Sequence, residues 1–219
     1  MAQDKLAIRK GEIYWLEQEP AKYKIYFSWS GQQADLNLIA LKSPWLFSNN
    51  EEQFYYEQAR LAVSGDLSFS PEQQYQVKGY GLIDHQGFKA ALPWSSWRWY
   101  NLQLDNQTEV VFVTDFISKS GNFFQKNNLS IFKKQMETVE SQKYTVKDLE
   151  YWQDPKTKVQ YPVKWQLEIP ERNINLIATS IIPNQVIEGA NGFYEGTCQV
   201  TGTFEGQSVT GRAQFEFMP

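Results

Sequence analysis

A chain of 219 residues with 42% hydrophobic content is long enough for one large domain or two small ones and can close a core without crosslinks. A single cysteine, Cys198, excludes an internal disulfide framework, and one Cys with one His cannot supply the usual zinc ligand set, so neither a metal nor another cofactor is expected. A formal net charge of −4 without a local Lys and Arg cluster argues against nucleic acid as a partner.

The N-terminal stretch MAQDKLAIRKGEIYWLEQEP is broken by charge every few residues. No apolar run approaches the roughly 20 residues of a membrane span. These features predict a soluble, cytoplasmic protein without a transmembrane segment, either monomeric or a homo-oligomer.

Period-two alternation dominates from there on. KYKIYFSW places Tyr23, Ile25, Phe27 and Trp29 on one side of a strand, DLNLIALK follows, and YYEQARLAVSGDLSF reads as two short runs broken at Gly65. The polar SPEQQ, Ser70 to Gln74, is the best boundary signal and separates N-terminal strands (1–70) from a barrel (71–219). KGYGLIDHQGF then carries the only histidine, His85, directly after Asp84. Gly79 and Gly81 before that pair predict a bulge or a close backbone approach, and a regular strand sends Asp84 and His85 to opposite faces.

PWSSWRWYNLQLDNQTEVVFVTDF reads as a hairpin turning at Asp105, Asn106 and Gln107. With a loop of two or four residues, Leu104 faces Glu109, and Trp97, Trp99, Asn101 and Gln103 share a face with Val110, Phe112, Thr114 and Phe116. That face is assigned to a ligand cavity, against the alternative that its amides cap core backbone groups; a three-residue loop exchanges the partners. NLSIFKKQMETVESQKYTVKDLEYW is the one stretch that admits a short helix, although its β-branched and aromatic residues suit strands equally. YPVKWQLEI alternates cleanly, and GTCQVTGTF with SVTGRAQFEF form a long hairpin around Glu205 to Gln207. Many antiparallel strands at short spacing predict an all-β antiparallel barrel, which removes exposed edges by closing. The high aromatic content, 16%, serves either a β core or a pocket for an extended apolar ligand.

Four motifs in order resemble the AttH-like and carotenoid hydratase (CrtC-like) family of lipocalin-like barrels. They are FYYEQARLAVSGDL, VKGYGLIDHQGF, WRWYNLQLDNQTEV and YEGTCQVTGTFEGQSVTGRAQFEF, spanning roughly Tyr55 to Phe217. The family has a tryptophan shortly after the histidine where this chain reads Gln86, Gly87 and Phe88, and it has a fuller N-terminal barrel. The resemblance therefore implies a lipocalin-like antiparallel barrel with a partial second barrel at the N-terminus.

It also implies a hydrophobic small-molecule substrate of the isoprenoid or polyene class, and it makes Asp84 the proton donor to a carbon–carbon double bond. The chemistry is coherent: a carboxyl desolvated among aromatic rings has a raised pKa and stays protonated near neutrality. His85 would tune or reprotonate it. Trp97 and Trp99 would stabilise a carbocation through cation–π attraction, while Asn101 and Gln103 would place the water or internal nucleophile. Tyr56 and Arg60 join Phe112 as ligand-binding candidates, against the alternative of a buried Tyr with a surface Arg. Hydration or cyclisation follows from this arrangement. The competing readings are an intramolecular [4+2] cyclase that works by shape, a carrier of hydrophobic ligands without chemistry, and an interaction domain without a cavity.

Overall fold

Strands account for most of the described chain. The computed structural model describes residues 7–10, 13–19, 21–49, 53–88, 94–118, 129–133, 136–139 and 143–219. Two compact units divide it, Met1–Ala90 and Ala91–Pro219. Among the described residues no helix is long and apolar enough to cross a membrane.

The first unit holds β1 (Ala7–Lys10), β2 (Ile13–Glu19), β3 (Lys22–Trp29), β4 (Gln32–Ala40), β5 (Trp45–Asn49), β6 (Gln53–Ser70) and β7 (Gln73–Phe88). Its ladder runs β1-β2-β3-β4-β6-β5, with β7 along the other edge of β6. The long β6 organises this sheet, because Leu61 to Ser68 pair with β4 while Phe54 to Glu57 pair with β5. Tyr23, Leu38, Leu61 and Ile83 form the small apolar core, flanked by Ile25, Leu36, Ala40, Tyr56 and Val63.

Two expectations for this region are corrected. Gly65 does not end a strand, since β6 continues through it with φ +151°. A Cβ there would run into the Asp35 carbonyl, so glycine lets β4 approach β6 closely. The polar Ser70 to Gln74 is the tip of the β6–β7 hairpin, whose strands pair from Gln53↔Phe88 to Ser70↔Gln73. Its turn chemistry resembles a linker, yet it lies inside one unit, and the division falls at Ala90 and Ala91.

The second unit holds β8 (Trp94–Leu104), β9 (Glu109–Ser118), β10 (Leu129–Phe132), β11 (Met136–Val139), β12 (Thr145–Gln153), β13 (Gln160–Ile169), β14 (Ile174–Ser180), β15 (Tyr194–Phe204) and β16 (Gln207–Met218). All are antiparallel, in the order β11-β10-β9-β8-β16-β15-β14-β13-β12. The stretch that admitted a helix contributes β10, β11 and β12 instead, and Ile131 and Val139 are buried in the core. Pairing with β9 satisfies its β-branched and aromatic residues better than a helix does. The β15–β16 hairpin turns tightly at Glu205 and Gly206, both at positive φ, with Phe204 opposite Gln207.

This sheet curls into a lipocalin-like wall. β8 and β13 are four strand spacings apart, roughly 19 Å on a flat sheet. The rings of Tyr100 on β8 and Trp165 on β13 nevertheless meet edge to face with centroids 4.8 Å apart. Only a sheet rolled on itself brings them together. The interior so formed is filled: Trp165, Tyr100, Tyr161, Tyr194, Phe112 and Phe215 are its largest fully buried side chains. The high aromatic content thus goes into core packing here.

Candidate functional site

The β5–β6–β7 ribbon sets the surroundings of Asp84 by strand register. β7 pairs with β6 as Glu57↔Asp84, Tyr56↔His85 and Tyr55↔Gln86, while Trp45 of β5 pairs with Glu57. Directly paired residues share a face and neighbours along a strand alternate. Tyr55, Glu57, Asp84, Gln86 and Trp45 therefore lie on one face, and Phe54, Tyr56, Ile83 and His85 on the other.

On the first face Asp84 is half-buried. The Tyr55 hydroxyl donates to its Oδ2 at 3.1 Å, and the Gln86 amide donates to its Oδ1 at 3.2 Å. Burial pushes the carboxyl from 3.8 up to about 6, and the hydrogen bonds from Gln86 and Tyr55, which favour the anion, hold it from rising further. A carboxyl in that range exchanges a proton near neutral pH, as a general acid must. Glu57, directly opposite, is fully buried.

On the second face His85 packs edge to face against Tyr56 and Phe54, with centroids at 5.3 and 5.4 Å. Tyr56 in turn packs on the apolar core of the first unit. The register thus sends Asp84 and His85 to opposite faces, as strand alternation predicts; Tyr56 lies with His85, and Tyr55 stands beside the carboxyl.

Arg60 sits in a β-bulge. Pairing jumps from Gln58↔Ile83 to Leu61↔Gly81, so Ala59 and Arg60 together oppose Leu82. The glycines of β7 marked this irregularity, although the extra residue belongs to β6. Arg60 is only 4% exposed and its guanidinium lies 4.9 Å from the Tyr80 ring centroid, which corrects the surface alternative for this arginine.

The tryptophan hairpin differs from expectation by one residue. Its loop has three residues, Asp105 to Gln107, with Gln107 at φ +64° and the Leu104 amide bonded to the Thr108 carbonyl. The pairs are therefore Gln103↔Glu109, Leu102↔Val110, Tyr100↔Phe112 and Trp99↔Val113. A one-residue slip moves a whole set of side chains to the other face. Phe112 accordingly stacks on Tyr100 inside the filled core, at 4.3 Å between centroids, and does not share a face with Trp99. Trp97, Trp99, Asn101 and Gln103 occupy the face of β8 opposite that core. Trp99 and Asn101 are buried there, Gln103 is half-buried, and the Trp97 indole donates to Glu216 at 3.2 Å.

Among the described residues no group of three or more His, Cys, Asp or Glu is placed to hold a metal ion.

With this geometry in place, the AttH-like family model matches residues 1–217. The chain belongs to the AttH-like family. No curated protein matches it by sequence. Its fold is similar to the crystal structure of a protein described as AttH from Nitrosomonas europaea, with TM-score 0.78 and 16% identity over 97% of this chain and 69% of that one. It is equally similar to kievitone hydratase from Nectria haematococca, with TM-score 0.77 and 15% identity over 98% of this chain and 70% of that one. At such identities the likeness to these two structures is one of fold.

Within this AttH-like chain, sequence reasoning missed Tyr55, Glu57, Gln86 and Trp45. The alternation in FYYEQ puts Tyr55 and Glu57 on a common face. Only the β6–β7 register shows that this face is the one Asp84 occupies. Gln86 was noted merely as a departure from the family's tryptophan, yet its amide is one of the two donors on Asp84.

Proposed function

We propose that this chain adds water across a carbon–carbon double bond, or closes a ring at one, in an extended hydrophobic isoprenoid or polyene, with Asp84 as the proton donor and no cofactor. The observation that carries this reading is the half-buried Asp84 carboxyl, raised to about 6 and held in place by Tyr55. Membership of the AttH-like family and the fold shared with a hydratase support it.

In the proposed reaction the Asp84 O–H bond breaks as a C–H bond forms at the alkene, leaving a carbocation. Water attacks the cation, and its surplus proton returns to Asp84. Aromatic faces stabilise such a cation, and Trp45 stands in the same row as the carboxyl. Protonation at this position distinguishes the reading from a shape-driven cyclase or a carrier, neither of which needs an acid.

The test uses a panel of isoprenoid and polyene compounds, kievitone among them, incubated in isotopically labelled water and followed by mass spectrometry. Gain of one labelled water, or isomerisation to a cyclic product, is expected with the parent protein and is lost in Asp84→Asn. Turnover that survives Asp84→Asn with less than a tenfold loss would overturn the assignment.

A further inference from the structure

The two faces of the sheet formed by β3, β4, β6 and β7 differ in chemistry. Register carries the face of Ile83 through Val63 of β6 and Leu36 of β4 to Ile25 and Phe27 of β3. Between the levels of Tyr75 and Ile83 no Asp, Glu, Lys or Arg falls on it, whereas Lys24, Asp35, Asp66 and Lys78 fall on the opposite face. Yet Ile25, Phe27, Leu36, Val63 and Val77 are only half-buried.

The middle of this apolar strip is bare. β7 presents Tyr75, Val77, Gly79, Gly81 and Ile83 along it, and a Cβ on Gly79 would meet no atom within 4 Å. At Gly81 it would meet only Val63 Cγ2. The strip from Tyr75 to Ile83 is about 26 Å long, which suits an extended chain rather than a compact ring system. At the Ile83 end stands its cross-strand partner Gln58, fully buried, whose amide N–H donates to the Lys42 carbonyl while its Oε1 has no hydrogen-bond partner. At the other end Trp29 and Tyr75 are 65% and 51% exposed, and the pair Gln33↔Ser68 sets their hairpin turns side by side.

We infer that this face is a binding site, separate from the Asp84 face, for an uncharged extended apolar chain that carries a hydroxyl. A half-exposed apolar strip marks a contact surface. A second protein sheet packs by interdigitating side chains and would leave voids over Gly79 and Gly81, whereas a slender chain fills them. A charged head group would lose its hydration here without a countercharge. A hydroxyl instead donates to Gln58 Oε1 and satisfies a buried acceptor. The chain then runs over the glycines toward the exposed Trp29 and Tyr75. None of these residues serves the acid chemistry proposed above, so either reading stands or falls alone.

The test is equilibrium dialysis of the full chain against labelled farnesol, an uncharged chain with one terminal hydroxyl, and against its methyl ether. The parent should retain farnesol. In Gly79→Leu the added side chain enters open space and fills the gap, and the ether has no donor for Gln58; each change should weaken binding about tenfold. Farnesol not retained by the parent, unchanged affinity in Gly79→Leu, or equal affinity for the ether overturns the inference. So does a parent that sediments as a dimer beside a monomeric Gly79→Leu, because a second copy then covers the face. Should Gly79→Leu not fold, a photoreactive diazirine analogue of farnesol decides on the parent. Crosslinks to Val63 or Val77 support the site, and crosslinks confined to the Asp84 face or to the second unit overturn it.

Discussion

The hydroxyl of Tyr55 and the carboxylate of Asp84 meet across the β6–β7 ladder at 3.1 Å, although twenty-nine positions separate them in the chain. Tyr55 is itself buried, so the bond fixes the carboxyl while favouring its ionised form. Replacing Tyr55 by Phe removes a donor to the anion and is expected to move the Asp84 midpoint upward from about 6. The basic limb of any activity profile should shift the same way, with peak turnover within about tenfold of the parent because the acid remains. A downward shift would contradict this account.

The raised Asp84 also makes stability depend on pH. The folded protein binds this proton more tightly than the unfolded chain, whose carboxyl titrates near 3.8. The contribution is therefore fully present below about 3.8 and is lost as pH rises through about 6. Asp84→Asn carries no such proton, so urea unfolding of parent and variant should diverge with pH. From pH 4 to pH 7 the parent should lose on the order of 1–3 kcal/mol relative to the variant.

In the second unit Arg98 and Asp148 form an ion pair at 2.7 Å, with side chains 20% and 11% exposed, and Tyr151 donates to the same Asp148 oxygen at 2.8 Å. The guanidinium also lies over the Phe217 ring. Asp148→Ala leaves that cation without its carboxylate in a mostly desolvated place. The expected cost is about 2 kcal/mol, below that of a fully buried pair, measured as a lower urea midpoint with unchanged slope.

Trp165 fills the middle of the same unit against Tyr100, Phe112 and Phe215. Trp165→Ala should cost about 3–5 kcal/mol, the larger part from a cavity that the curled sheet collapses around only partly. Trp165→Phe should recover most of that stability in the same denaturation experiment.

Where strands lie was legible in the sequence, because alternation such as Tyr161, Trp165, Leu167 and Ile169 against Lys164, Gln166 and Glu168 admits one side only. The long C-terminal hairpin was legible for the same reason, with Cys198, Val200 and Phe204 buried across from Val209, Ala213 and Phe215. Register was not. The tryptophan hairpin turned on whether Asp105 to Gln107 forms a three-residue loop, and that single residue decides whether Phe112 faces Trp99 or Tyr100. The site shows the same divide. Asp84 stood out as a carboxyl among apolar neighbours, but its partners come from β5 and β6, and no local pattern states that Glu57 rather than Tyr56 lies opposite it.

The pairing of β8 with β16 has a bearing on synthesis. These strands meet along Leu104↔Gly211 and onward to Trp97↔Met218, and all the remaining strands of the second unit lie between them in the chain. On a ribosome, Leu104 emerges long before Gly211 exists. Until then β8 offers an open edge, with the Tyr100 and Leu102 side chains uncovered. A nascent chain in that condition invites chaperone binding or pairing with another copy, and slowing translation ahead of β16 should increase aggregation.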